Sequence, residues 1–342
     1  GFPFSASRLA CSLLLFFSLL GLSYSSAVLA DDDNEVWLVT YGPGEIYWQR
    51  FGHNAIWIRN PELGLDHTFN FGFFDFQQEN FFWRFLQGRM LYFSAAQLAS
   101  EEFATYINDD RSIRAQRLNL SAAQEQLLTA YLLREIRPEN RDYLYDYYEN
   151  NCSTRVRDAL DLALGGQLQK EYSAGEPARH NQRDHTRRLT HEDFWLYLGL
   201  ETGLGSPVDR PISRWREMFI PAVLASALVE AEVDTPNGKR RLVTEDTMLH
   251  RSARPLPAST PRLWWPHYLA AAIAVLAAAG LVGRFTGTGV LMARIWLAFG
   301  GVIGLAMVFF WFGTDHAVAR YNLNLLVFSP LWLFALWRGR ER

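Results

Sequence analysis

Cysteine is scarce in this sequence: Cys11 and Cys152 are the only two among 342 residues. Cys11 lies near the start of the apolar run LACSLLLFFSLLGL, which follows Arg8 and leads into the small residues SYSSAVLA. This order of positive, apolar and small residues predicts a signal peptide over residues 1–30 that is removed on export. The exported chain would then carry one thiol and no intrachain disulfide. Cys152 is therefore expected to be buried, to pair between chains or to be used chemically.

Charge is sparse as well. Charged residues make up 20% of the chain and the net charge is −3, which gives no reason to expect a nucleic-acid partner. The aromatic content of 15% excludes a disordered chain. The sequence has no internal repeat, no low-complexity tract and no P-loop, which excludes repeat arrays and P-loop nucleotide enzymes. No cofactor is predicted.

Long apolar runs are present, and three of them follow Pro255: residues 263–282, 290–312 and 323–337. The first two have the length of a membrane-spanning helix, and the third is flanked by aromatic residues that suit the membrane interface. The sequence therefore predicts a transmembrane region over residues 261–342 with three spans. Buried core helices are the alternative interpretation.

The flanking charges predict the orientation of these spans. If residues 31–260 are exported, Arg284, Arg294 and the terminal WRGRER lie on the inner side, as the positive-inside rule requires. The loop GTDHAVARYNLN then lies on the same side as Cys152. Its polar side chains are candidate ligands for substrate at the membrane surface, with helix capping and snorkelling as the alternative: Asp315, His316, Arg320, Asn322 and Asn324.

The soluble part contains alternating strand and helix patterns. EVWLVTYG, FGHNAIWIRN and HTFNFGFF are typical of strands, and AAQLASEEFATYI and SAAQEQLLTAYLLREI have helical periodicity, the second with Ser121 as N-cap. CSTRVRDALDLAL is typical of a helix that begins at Cys152 and ends at Gly165 and Gly166. The chain order is thus a strand with a histidine, a strand with polar residues and a helix that begins with cysteine.

This order suits thiol chemistry. Free N–H groups at a helix start lower a thiol pKa and can stabilise an oxyanion, so Cys152 is a candidate nucleophile with a depressed pKa. His53 is the candidate base, because it lies in an alternating strand beside a glycine. His67 and Asn70 are preferred over Asp75 as the group that orients the His53 ring. A small buried cysteine and a structural histidine are the alternatives.

A second group of histidines lies in the basic stretch ARHNQRDHTRRLTH: His180, His185 and His191. Three histidines raise the question of zinc. No cysteine accompanies them and their spacing is not that of one helix face, so a solvated basic face is the preferred interpretation. No metal site is predicted.

Five segments together resemble the Lnb-type bacterial envelope proteins: YGPGEIYWQRFGHNAIWI, HTFNFGFFDF, NFFWRFLQGRMLYF, PENRDYLYDYYENNCSTRVRDAL and TDHAVARYNLNLL. The resemblance covers most of residues 36–335 and is loose between about Gly165 and Pro255. The order of histidine before cysteine is also similar to that of the permuted papain-like (NlpC/P60-like) thiol enzymes. In one of these, lecithin retinol acyltransferase, a helix-start cysteine following asparagine takes an acyl group from phospholipid.

The resemblance implies an α+β periplasmic domain of permuted papain-like topology followed by three transmembrane helices in a bacterial inner membrane. A catalytic core would occupy residues 31–165, and a mostly helical extension and linker residues 166–260. Cys152 would be the nucleophile, His53 its base and Asn151 a substrate contact. Most aromatic residues of NFFWRFLQGRMLYF are expected in the core, with lipid contact as the alternative.

The implied reaction moves an acyl chain from a phospholipid donor through a Cys152 thioester to an amine, such as the N terminus of a diacylated lipoprotein. The implied partners are therefore a phospholipid, a lipoprotein or other amine, and the membrane. Two alternatives remain open at this point. One is a periplasmic cysteine hydrolase acting as an amidase, peptidase or phospholipase, and the other is a non-enzymatic membrane scaffold.

Overall fold

The computed structural model describes residues 34–175 and 177–338, so the predicted signal peptide, residues 1–30, lies outside the described residues. The strands are β1 Glu35–Tyr41, β2 His53–Asn60, β3 Leu65–Phe73, β4 Leu91–Leu98, β5 Ile113–Leu118, β6 Asp142–Leu144, β7 Glu232–Thr235, β8 Gly238–Arg241 and β9 Val243–His250. The helices are α1 Phe81–Gln87, α2 Ala99–Asn108, α3 Ala122–Glu135, α4 Cys152–Ala163, α5 Gln167–Ser173, α6 Gln182–Thr190, α7 Phe194–Gly203, α8 Arg214–Glu217, α9 Pro221–Glu230, α10 Trp265–Thr286, α11 Gly289–Phe312 and α12 Trp332–Arg338.

A seven-stranded antiparallel sheet in the order β6-β4-β3-β2-β1-β5-β9 is the centre of the fold, and β7 and β8 form a separate hairpin. Successive side chains of a strand point to opposite faces of the sheet. Ile56 and Ile58 accordingly pack with Leu160 of α4 on one face. Ala55 packs with Tyr41 and with Phe103 of α2 on the other face. The predicted α+β class is confirmed.

The start of α4 is held by a buried cap. Asn151 Oδ1 accepts a hydrogen bond of 2.9 Å from the Thr154 backbone amide, and Thr154 Oγ1 accepts one of 2.8 Å from the Asn151 amide. Asn151 Nδ2 donates to the carbonyl oxygens of Tyr147 and Phe219 at 2.9 and 3.0 Å. These bonds satisfy backbone groups that would otherwise be unpaired, so the first residue of the helix, Cys152, is firmly positioned.

Residues 166–260 do more than form the predicted helical extension and linker. β9 pairs with β5 and so widens the main sheet. Leu224 and Leu228 of α9 are fully buried in the same core cluster as Leu160 of α4. The sheet and its core therefore include this later part of the chain.

Two apolar helices follow. α10 has 22 residues and α11 has 24, and 18-residue stretches within them have mean hydropathies of 1.9 and 2.1, so both helices are long and apolar enough to cross a membrane. The third predicted span, residues 323–337, is not one helix: a 3-10 turn at Leu323–Leu326 is followed by Pro330 and then by the short α12. Proline lacks an N–H group and its ring clashes with the preceding turn. A third spanning helix is therefore not confirmed.

The Asn151 cap gives a first prediction. Ser121 forms a capping box of the same type at the start of α3, but at an exposed position. Ser121→Ala is expected to cost about 1 kcal/mol of unfolding free energy. Asn151→Ala is expected to cost about 2–4 kcal/mol, because buried backbone groups also lose their partners. Denaturant titration in detergent, followed by circular dichroism, measures both. Equal small losses would contradict the proposed importance of the buried cap.

Candidate active site

Cys152 lies where α4 begins, against the ends of β2 and β3. A Cβ atom built on Gly72 of β3 would lie 3.5 Å from Cys152 Cβ, and Gly72 has a φ of 104°, a conformation that favours glycine. The Ser153 hydroxyl lies 2.9 Å from Asn54 Oδ1, which joins the helix start to β2 one residue after His53. The structure thus brings Cys152 and the His53 end of β2 to the same end of the sheet.

His53 contacts Asn70, one of the two orienting candidates. His53 Nε2 and Asn70 Oδ1 are 2.8 Å apart. Asn70 Nδ2 donates to Glu102 Oε2 at 2.7 Å, so the amide oxygen of Asn70 faces the histidine. An oxygen there can only accept, and His53 Nε2 must therefore carry the proton of the neutral ring. This leaves Nδ1 as the ring nitrogen able to act as a base.

His67 does not join this group. It lies three residues before Asn70 on β3, and an odd separation along a strand points two side chains to opposite faces. Its Nδ1 atom is buried and has no hydrogen-bond partner among the described residues. Asp75 is exposed and accepts a bond of 2.7 Å from the Gln77 amide in a turn. The structure therefore separates both from His53 and favours Asn70.

Glu102 of α2 is a site residue that sequence reasoning missed. It is only 4% exposed and receives hydrogen bonds from Asn70 and Thr68. The Tyr41 hydroxyl also neighbours the carboxyl group, without a hydrogen bond of normal geometry. Burial raises the pKa of Glu102, and these polar neighbours oppose the rise. Glu101 beside it is exposed and has the same chemistry, so only the docking of α2 identifies Glu102.

Two tyrosines and an arginine surround the histidine. The rings of Tyr41 and Tyr106 stack with centroids 3.6 Å apart, and the His53 ring lies 5.9 and 6.3 Å from them. The Arg111 guanidinium lies over Tyr106 at 4.5 Å and its Nε donates to the Gly42 carbonyl at 2.8 Å. Arg111 is 4% exposed, which puts a buried positive charge beside the site. The pairing of Tyr41 with His53 across β1 and β2 follows from strand register, which the sequence does not reveal.

The electrostatics differ from the sequence-based expectation. Burial lowers the pKa of His53 to about 4, and the charge of Arg111 adds to this effect while the bond to Asn70 opposes it. Burial also raises the pKa of the Cys152 thiol, although the backbone amides of Asn54 and Ser153 and the charge of Arg111 favour the thiolate. The expected depression of the thiol pKa is therefore wrong, because desolvation outweighs the helix start. At neutral pH both groups are uncharged.

The expected contact between Asn151 and substrate is not supported. The oxygen and both donor hydrogens of its side chain are used by Thr154, Tyr147 and Phe219, and the residue is 6% exposed. A contact with substrate would require these bonds to break. The side chain positions Cys152 instead.

The loop GTDHAVARYNLN, residues 313–324, follows α11, and we call it the outer loop. Its side chains contact Arg89 and the helices α1 and α7 of the soluble domain, so it lies on the same side as that domain. Asp315 forms an ion pair with Arg89 at 2.6 Å, which lowers the pKa of this carboxyl, and His316 Nε2 lies 3.0 Å from the Phe85 carbonyl of α1. Arg320 is exposed. Among the contacts of the described residues, none joins these three side chains to Cys152.

The two asparagines of the loop cap a helix. Asn322 Nδ2 donates to the Thr202 carbonyl at 2.7 Å, and Asn324 Nδ2 donates to the Glu201 carbonyl at 3.1 Å. These carbonyls belong to the last turn of α7, where backbone oxygens lack helical partners. The capping alternative therefore accounts for Asn322 and Asn324, and the expected substrate contact is not supported.

In the second group of histidines, His185 and His191 make hydrogen bonds within the fold. His185 is 1% exposed, with Nε2 at 2.8 Å from Glu217 and Nδ1 accepting from Arg188 at 2.9 Å. His191 Nδ1 lies 2.9 Å from the Arg188 carbonyl. Within residues 34–175 and 177–338, no group of three His, Cys, Asp or Glu side chains is arranged to hold a metal ion.

The lowered pKa of His53 predicts acid sensitivity. In the unfolded chain this histidine has its ordinary pKa of about 6.5, whereas in the folded chain its pKa is about 4. Stability is therefore lost as pH falls through this window, by up to about 3 kcal/mol. His53→Gln removes this contribution, so its unfolding free energy should fall less between pH 7 and pH 4. Parallel pH dependences of wild type and variant would contradict a neutral His53.

The neutral thiol gives a separate prediction for reactivity. The rate of Cys152 alkylation by iodoacetamide should rise only above the ordinary thiol pKa of about 8.5. A rate plateau between pH 4 and pH 7 would instead indicate a preformed thiolate–imidazolium pair. Arg111→Met should move the rise to higher pH, because the thiolate loses a nearby positive charge. Cys152→Ala supplies the background rate.

Two family models match the chain. The Lnb N-terminal periplasmic domain matches residues 27–191, and the Lnb transmembrane domain matches residues 260–340. His53, Asn70 and Cys152 all lie within the first match. Comparisons with curated proteins and with solved structures found no significant match. The order of a periplasmic domain and two apolar helices agrees with both family models. The chain therefore belongs to the Lnb family and is a membrane protein with a periplasmic domain.

Proposed function

We propose that this protein is a cysteine-dependent acyltransferase of the bacterial inner membrane, with its catalytic domain in the periplasm. It transfers an acyl chain from phospholipid to an amine, namely the N terminus of a diacylated lipoprotein. The observation that carries the proposal is the hydrogen-bonded series Glu102, Asn70 and His53 at the sheet end where α4 begins with Cys152. The order of histidine strand, asparagine strand and cysteine helix supports a permuted papain-like (NlpC/P60-like) core.

The first step starts from a neutral pair. His53 Nδ1 takes the proton of the Cys152 thiol as the sulfur attacks an ester carbonyl of the phospholipid. The free backbone amides in the first turn of α4 stabilise the negative oxygen that forms. The C–O ester bond then breaks and His53 passes the proton to the departing alkoxide. The products are a lysophospholipid and a thioester on Cys152.

The second step transfers the chain. The acceptor amine attacks the thioester carbonyl, His53 removes a proton from the nitrogen, and the C–S bond breaks. His53 then protonates the departing sulfur, which leaves an amide and the free thiol. Membrane attachment supports this reaction over hydrolysis of soluble peptides, since donor and acceptor lipids are confined to the same surface as the enzyme.

Mass spectrometry of Cys152 tests the proposal. After incubation of the membrane protein with phospholipid vesicles, Cys152 should carry one acyl chain and an equal amount of lysophospholipid should be released. His53→Ala should slow this about 10²–10⁴-fold. His67→Gln is the matched control, because His67 takes no part in the hydrogen bonds that join Glu102, Asn70 and His53, and it should change the rate less than about twofold.

The acceptor decides between the remaining functions. An added lipopeptide with a free N-terminal cysteine should remove the acyl chain from Cys152 and gain it as an amide. Release of free fatty acid, with no gain by the peptide, would favour a phospholipase-like hydrolase. Cleavage of peptides without an acyl adduct would favour a peptidase, and an unreactive Cys152 would favour a membrane scaffold.

A further inference from the structure

The short helix α1 exposes aromatic side chains to its surroundings. Phe82, Trp83 and Phe85 are 80%, 53% and 47% exposed, and Trp48 and Phe76 are 53% and 55% exposed. We call these five residues the α1 aromatic surface. The expectation that most aromatic residues of this segment lie in the core is therefore wrong. Large apolar side chains grouped on a surface mark a place where another molecule binds.

The C-terminal end of α1 is fixed to the loop that follows α11. Arg89 Nε donates to Asp315 Oδ2 at 2.6 Å, and the Asp315 amide donates to the Gln87 carbonyl at 2.8 Å. Because α11 ends at Phe312, these bonds hold α1 at the point where the apolar helix ends. Because α11 has the length and hydropathy of a spanning helix, we expect the α1 aromatic surface at the depth of the membrane interface, where aromatic side chains are favoured.

Gly88 makes this attachment close. It has a φ of 76°, and a Cβ atom built there would lie 2.9 Å from the His316 backbone nitrogen. Only glycine allows both the left-handed conformation and this separation of the two backbones. The end of α1 is thus packed directly on the loop that follows α11.

A continuous series of ring contacts leads inward from α1. Phe81 lies 5.0 Å from Phe76 and 6.4 Å from Phe74, measured between ring centroids. Phe74 lies 5.3 Å from Tyr92, which in turn stacks on Tyr145 at 4.1 Å. Aromatic rings at these separations present a connected apolar surface.

The inner end of this series lies beside Cys152. Phe74 follows Gly72 by two residues, and the Gly72 Cβ position is 3.5 Å from Cys152 Cβ and 3.9 Å from the Tyr143 hydroxyl. Tyr143 pairs with Tyr92 between β6 and β4. The series of rings therefore reaches the residues that border Cys152.

We propose that the α1 aromatic surface receives the acyl chain of a membrane phospholipid and that Phe81, Phe74 and Tyr92 guide this chain to Cys152. The proposal rests on the acyltransferase function proposed above. A hydrocarbon chain is the occupant that fits, because the surface is aromatic, lies at the end of a spanning helix and is continuous with the nucleophile. The chain would leave the bilayer over α1 while its ester group reaches the sulfur.

The double variant Phe82→Ser with Phe85→Ser tests the outer end of this route. In vesicles of long-chain phosphatidylethanolamine, the rate of Cys152 acylation should fall by about tenfold or more, since two aromatic contacts with lipid are lost. Alkylation of Cys152 by iodoacetamide should change less than about twofold, because the sulfur and its neighbours are untouched. Trp195→Ser is the matched control: Trp195 is 76% exposed on α7 and should leave acylation unchanged. A wild-type acylation rate in the double variant, or an equal loss in Trp195→Ser, would overturn the inference.

A second measurement does not depend on acyl transfer. Phospholipids with brominated chains quench nearby tryptophan fluorescence, and subtraction of the Trp83→Phe spectrum isolates the contribution of Trp83. Quenching of Trp83 supports lipid contact at α1, and its absence overturns the inference. If Trp83 is quenched while wild-type Cys152 never gains an acyl chain, the acyltransferase proposal fails and α1 remains a lipid-contacting surface.

Discussion

The hydrogen bond between His53 and Asn70 is the contact on which the arrangement of the site depends. It joins two neighbouring strands, and Glu102 from a helix on the same face determines which way the Asn70 amide points. A carboxylate that faces the NH₂ group leaves the amide oxygen for the histidine, and the tautomer of the ring follows. A buried acid that lies beyond Asn70 therefore determines that Nδ1 is the ring nitrogen without a proton.

Desolvation gives this site a different resting state from that of thiol enzymes with a preformed ion pair. Both His53 and Cys152 favour their neutral forms, since burial opposes a charge on either of them. In the proposed reaction, charge separation between the two groups occurs only when an ester carbonyl is in place. Such a thiol is protected from unwanted oxidation in an oxidising compartment, because the thiolate is the form that reacts.

Local patterns in the sequence predicted the strands and the helix that carry His53, Asn70 and Cys152, because their periodicity and caps are short-range signals. Contacts between segments that are distant along the chain could not be predicted from the sequence. Glu102 is distinguished from Glu101 only by the docking of α2, and the polar loop after α11 finds its partners on α1 and α7. The third span is not confirmed for a local reason: Pro330 interrupts the helix, and hydropathy alone does not register that break.

The attachment of the outer loop to both α1 and α7 has a mechanical consequence. A domain joined to its anchor by a single flexible linker can tilt and rise, and its active site samples a range of heights. Here Asp315 and Asn322 join the loop after α11 to two separate regions of the soluble part, the end of α1 and the end of α7. Tilt is thereby restricted, so in the proposed reaction the height of Cys152 above the lipid headgroups is set by the fold. The distance that a phospholipid would travel out of the bilayer is then the same in every cycle of that reaction.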